Sequence, residues 1–127
     1  RLSGWSRWNL QIMDFKYVYK ICTKEEWKIA KKIGKFEGSK KDKEDGFIHF
    51  SDKDQLKETF KKFFFNQNNL ILLKIDALKL KNLIYEQISD GNMFPHLYEP
   101  FEVKNVVTEH EITLNEKGTH NIPIEIL

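Results

Sequence analysis

His49 and His96 sit in unusually apolar company, the first inside Phe47-Ile48-His49-Phe50 and the second inside Phe94-Pro95-His96-Leu97-Tyr98. An imidazole in such a setting must satisfy both ring nitrogens or face a cleft. Its ordinary pKa, near ~6.5, lets it donate to a ligand oxygen or shuttle a proton. The plainer reading is a structural histidine bonded to a backbone carbonyl, with Pro95 fixing a turn beside His96. Lys20 and Glu86 are the charged candidates. A lysine can neutralise an anion and a carboxylate can serve as general acid or base, although both are equally at home in solvent. His110 and His120 stand among charged and turn residues and read as surface groups. The six glycines are scattered singly and Cys22 is the only cysteine, so there is no Gly-rich phosphate loop and no paired-cysteine metal spacing; a His-Glu-x-x-His pair is also lacking.

The elements that must position these residues follow from periodicity. Phe15, Tyr17, Tyr19 and Ile21 alternate with Val18, Lys20 and Cys22, which predicts a half-buried first strand with Lys20 on its more polar face. Thr23 and Glu26 have capping-box spacing and open a helix. Trp27, Ala30 and Ile33 form its apolar stripe, and Gly34 is placed to end it. Residues 36–46 read as a polar loop. From Gly46 to Ser51 a strand is expected, with Phe47 and His49 on one face and Ile48 and Phe50 on the other. Ser51 and Asp54 repeat the hydroxyl-then-acid spacing ahead of a second helix, whose Leu56, Phe60, Phe63 and Phe64 share one face.

Leu70 to Ile75 is apolar at nearly every position, as in a central strand covered on both sides. Further strands are expected over Asn82 to Ile88 and Val103 to Glu109, separated by a turn-rich stretch from Ser89 to Pro100. An edge strand interrupted by Pro123 is expected in the tail. The outcome is an α+β fold with two helices packed on a sheet of five or more strands.

Composition narrows the class. The 127 residues are 40% hydrophobic and 31% charged, as in a globular domain. No apolar run approaches the roughly 18 residues that cross a bilayer, so no membrane role is expected. A single thiol fits a reducing, cytosolic setting. Both arginines, Arg1 and Arg7, and two of the three tryptophans, Trp5 and Trp8, fall in the first eight residues. We therefore expect residues 1–12 to be a foreign leader and residues 13–127 the single domain, with Met13 as the native start. From Met13 onward 19 lysines balance 19 acids, which removes the net-charge footprint of a nucleic-acid binder. An asymmetry survives: Met13 to Lys62 carries 14 lysines against 10 acids, and Phe63 to Leu127 carries 5 against 9. Solvated faces explain it most simply. A lysine-lined rim that attracts an anion, with Lys40, Lys41 and Lys43, is the sharper reading.

Tyr19-Lys20-Ile21-Cys22, Trp27, Gly34 to Gly38, Asp45 to Ser51, Leu70 to Asp76, Glu86 and Phe94 to Tyr98 together resemble the blocks of the bacterial family catalogued as domain of unknown function 952. The resemblance spans Tyr17 to about Val107. It implies a split β-sheet similar to the ADP-ribosyltransferase fold, whose cleft holds NAD in catalytic members. Gly46 to Ser51 is similar to the strand bearing the motif histidine in RNA 2′-phosphotransferases of that superfamily, while the Arg…Ser-Thr-Ser…Glu-x-Glu set of another branch is lacking.

On that resemblance a role can be written for each candidate. His49, with Ser51 beside it, would bind a ribose hydroxyl or phosphate, and Lys20 would neutralise pyrophosphate. Phe94 or Tyr98 would stack on a nicotinamide or adenine ring, with His96 lining the same groove. Glu86 would stabilise an oxocarbenium-like ribosyl centre. The expected partner is an anionic small molecule or nucleotide, NAD among them; a nucleic acid is expected only as a phosphorylated RNA end. A non-catalytic binding or partner-interaction domain is the alternative.

Overall fold

The computed structural model describes residues 17–126; the proposed leader, Met13 and Phe15 lie outside the described residues. In chain order the elements are β1 (Tyr17–Thr23), α1 (Lys24–Ile33), β2 (Lys35–Phe36), α2 (Lys40–Asp45), β3 (Ile48–His49), a 3-10 turn (Lys53–Gln55), α3 (Leu56–Phe63), β4 (Leu70–Asp76), β5 (Leu83–Gln87), β6 (Met93–Leu97), β7 (Phe101–Glu102), β8 (Val106–Leu114) and β9 (His120–Asn121). The protein is α+β. Its strands form three ladders: β1-β4-β8-β9, β3-β6-β5 and β2-β7.

The apolar run of β4 is central, pairing antiparallel with β1 on one side and β8 on the other. Val18, Cys22, Leu73 and Ile75 on one face of this sheet pack with Trp27 and Ala30 of α1 and with Ile48, Phe50 and Leu97 of the smaller ladder. Tyr19, Ile21, Leu70, Leu72 and Ile112 on the other face pack with Leu56 and Phe60 of α3. With layers on both sides, β1 is buried from Val18 to Cys22 rather than half-buried. Lys20 thereby points into the layer between the two larger ladders. The ladders are joined by Tyr19 and Ser51, whose backbones exchange two hydrogen bonds of 2.9 Å.

Thr23 and Glu26 form the predicted capping box, and Gly34 ends α1 at φ 99°. Ile33 departs from the expected stripe: it is more than half exposed, since the core takes only Trp27 and Ala30 from this helix. The expected loop over 36–46 contains β2 and the six-residue α2. A second capping box makes α2: Ser39 Oγ accepts from Asp42 N at 3.2 Å, and Asp42 Oδ2 accepts from Ser39 N at 2.9 Å.

Other expectations fail for identifiable reasons. Ser51 does not cap the second helix; its hydroxyl meets Thr59 Oγ1 at 3.1 Å, and Asp52 with Gln55 opens the turn instead. Phe63 is exposed, so α3 is held by Leu56 and Phe60. Val103 begins a 3-10 turn and β8 starts at Val106. The turn-rich stretch after Ser89 holds β6, the middle strand of its ladder, and Pro95 lies within it. Proline is tolerated there because its carbonyl accepts from Phe50 N at 3.0 Å while the absent N–H would point the same way, past the end of β3.

Candidate functional site

β3 and β6 run antiparallel with His49 directly opposite His96, so both imidazoles rise from one face of the ladder. Their ring centroids are 5.7 Å apart, edge to face. Phe47 fits against both, stacked on His96 at 4.1 Å and tilted on His49 at 4.6 Å, and it reaches Tyr98 at 5.4 Å. The alternation expected for residues 47–50 holds, with Ile48 and Phe50 buried beneath.

Each histidine is held by its own acids. His49 Nδ1 meets Asp42 Oδ1 at 2.6 Å and its Nε2 meets Asp45 Oδ2 at 2.9 Å. Carboxylates accept, so a ring nitrogen that bonds one is the donor. Asp42 is buried and also takes the His49 backbone N–H at 3.1 Å and the Lys20 ammonium at 2.8 Å. Burial alone would raise the Asp42 carboxyl. The His49 hydrogen bond and the Lys20 charge outweigh it and hold the group well below the usual carboxylate range.

His96 is oriented differently. Its Nδ1 donates to Glu86 Oε1 at 2.8 Å, and the Tyr98 hydroxyl donates to the same oxygen at 2.5 Å. The bonds from Tyr98 and then His96 lower the Glu86 pKa, and the Glu86 bond raises that of Tyr98. His96 Nε2 has no hydrogen-bond partner among the described residues. A neutral imidazole that donates through one nitrogen can accept a hydrogen bond or a proton at the other.

The fold thus gathers His49, His96, Glu86 and Tyr98. Lys20 stands behind them, buried, bonded to Asp42 and to the His49 carbonyl at 3.1 Å, so an anion would have to displace Asp42 to reach it. Ser51 is buried against Thr59. Phe94 lies beside Glu86 in register but lines a different concavity, of about 200 Å³, with Gln55 and Lys62. Another, of about 380 Å³, lies between α1 and α2. Neither contains the paired histidines. No group of three or more His, Cys, Asp or Glu among the described residues is arranged to hold a metal.

Asp42, Asp45 and the central position of Phe47 were not recognised from sequence. Ser39 and Asp42 do show capping-box spacing, the signal that would have turned the loop into a helix delivering two acids to His49.

The family described as "Protein of unknown function (DUF952)" matches residues 21–109, which include both histidines and their carboxylates. The chain belongs to the DUF952 family. A crystal structure of protein CC0527 from Caulobacter crescentus is similar, with 40% identity and a TM-score of 0.81 over 87% of this chain and 97% of that one; a double mutant of CC0527 aligns equally well. The solution structure of CC0527 gives 42% identity and a TM-score of 0.74 over 83% and 91%. No curated protein matches. Among the described residues of this DUF952 chain, no helix is long and apolar enough to cross a membrane.

Proposed function

We propose that the histidine face binds a phosphorylated nucleotide, NAD or a phosphorylated RNA end among them, and that the protein is a transferase-like enzyme of ADP-ribosyltransferase-like fold acting in the cytosol. The observation that carries this reading is His96, buried under Phe47, clamped through Nδ1 by Glu86 and without a hydrogen-bond partner on Nε2 among the described residues. With Nδ1 donating to Glu86, Nε2 of the neutral ring accepts from a ribose hydroxyl, and it donates to a phosphate oxygen when the ring carries both protons, a task the resemblance gave to His49, whose ring nitrogens both face carboxylates. Tyr98, 44% exposed, offers its ring to a base or nicotinamide, and Glu86 beside it stabilises a developing ribosyl cation. The division of the strands among separate ladders supports the fold likeness.

Calorimetry with NAD, ADP-ribose and a 2′-phosphorylated RNA end tests binding, and chromatography after incubation tests turnover. Saturable heat that falls at least tenfold in affinity in His96→Gln is expected. Absence of heat with all three ligands would overturn the proposal. Binding without product would favour the second reading, a non-catalytic module, which the engagement of both His49 nitrogens favours because it leaves one free imidazole nitrogen and not two.

A further inference from the structure

The sequence of α1 leaves apolar side chains outside the core. Trp27 and Ala30 point inward, whereas Ile29 and Ile33, one turn apart, are 51% and 54% exposed. They supply the apolar floor of a concavity of about 380 Å³, backed from within by the buried Ala30 and Phe36. That volume is in the range of small-molecule sites. Lys35, Lys40 and Lys43 stand around it, contributed by β2 and α2, and none of their ammonium groups has a hydrogen-bond or ion-pair partner among the described residues. Two acids share the rim. Glu26 is turned to its own helix cap, accepting from Thr23 N at 2.8 Å, which leaves Glu37 against three ammonium groups.

An apolar floor under a rim of net positive charge selects for a molecule with an apolar body and an anionic head. We propose that this groove is a second binding site, distinct from the histidine face, and that its occupant is a small amphiphilic anion of the aliphatic carboxylate class. The aliphatic body lies on Ile29 and Ile33, and the carboxylate is met by Lys40 and Lys43, with Lys35 at the margin. Burial of the chain supplies affinity and the lysines supply sign selectivity.

The test is a titration of the full chain with decanoate, octanoate, decanol and decyltrimethylammonium below their aggregation concentrations, read from the isoleucine methyl signals in NMR spectra. Decanoate is expected to give saturable shifts at Ile29 and Ile33. Octanoate, two methylenes shorter, should bind about fifteenfold more weakly, from roughly fourfold per methylene. Decanol and the cationic amphiphile should bind at least fivefold more weakly than decanoate. Ile33→Asp, a change at an exposed position, should abolish the shifts, and Lys40→Glu with Lys43→Glu should remove the preference for the anion. Equal binding of decanoate and the cationic amphiphile, shifts centred elsewhere, absence of saturable shifts, or a sedimentation result showing this face covered by a second copy would each overturn the assignment.

Discussion

His49 and His96 stand opposite one another on neighbouring strands, yet they are held by different acids, His49 by Asp42 and Asp45 and His96 by Glu86. One ring is engaged at both nitrogens and the other at one. That inequality separates them structurally: His49 is tied to carboxylates at both nitrogens, whereas the buried His96 keeps one nitrogen without a hydrogen-bond partner among the described residues.

Glu86→Gln should uncouple His96 and Tyr98. The Tyr98 hydroxyl, raised by its bond to Glu86, should ionise at lower pH, and a spectrophotometric titration of the phenol reads this. If the site turns over a ligand, the rate should fall by about 10²-fold or more. An unaltered rate would remove Glu86 from the chemistry.

Asp42→Ala leaves the buried Lys20 ammonium without its carboxylate and should cost about 3–5 kcal/mol, measured by denaturant unfolding. Pairing Asp42→Ala with Lys20→Met should recover much of that loss. Recovery would show the penalty to be an unpaired charge.

The same carboxylate makes acid stability predictable. Its folded pKa is depressed, so its contribution is present above the ordinary aspartate value near ~3.9 and disappears as the pH falls from there through the folded value. The wild-type protein should lose stability across that acid window more steeply than Asp42→Asn, as followed by unfolding at a series of pH values.

Cys22 is buried on the sheet face that packs against α1, and burial pushes its thiol up to about 12. It should resist alkylation in the folded protein near neutral pH and react only after unfolding, which mass spectrometry can follow. Fast native labelling would mean that β1 opens locally.

At the cap of α1, Thr23→Ala removes the hydroxyl that accepts from Glu26 N at 3.0 Å and should cost about 1 kcal/mol of unfolding free energy. A loss near zero would show that Glu26 alone holds the turn.

Local rules made much of this molecule legible. Alternation located β1 and the inward face of residues 47–50, the nearly continuous apolar run located β4, and the Thr23–Glu26 spacing with Gly34 bounded α1. The same rules missed β6, because Pro95 argues against a strand unless the neighbouring strand is known to end where its missing donor would point. They also placed Lys20 on the polar face of a half-buried strand, for want of any sign that a second layer would cover it.

By itself the sequence determined the α+β character, the central strand and the presence of two histidines in aromatic surroundings, since periodicity and composition act over a few neighbouring residues. Only the tertiary structure decided that those histidines meet. Their rings are joined by the register of β3 on β6, while Asp42 and Asp45 reach His49 from α2 and Glu86 reaches His96 from β5. Such pairings depend on which edges and layers come together over long chain separations, a choice made by burial of the whole core and not by any local pattern.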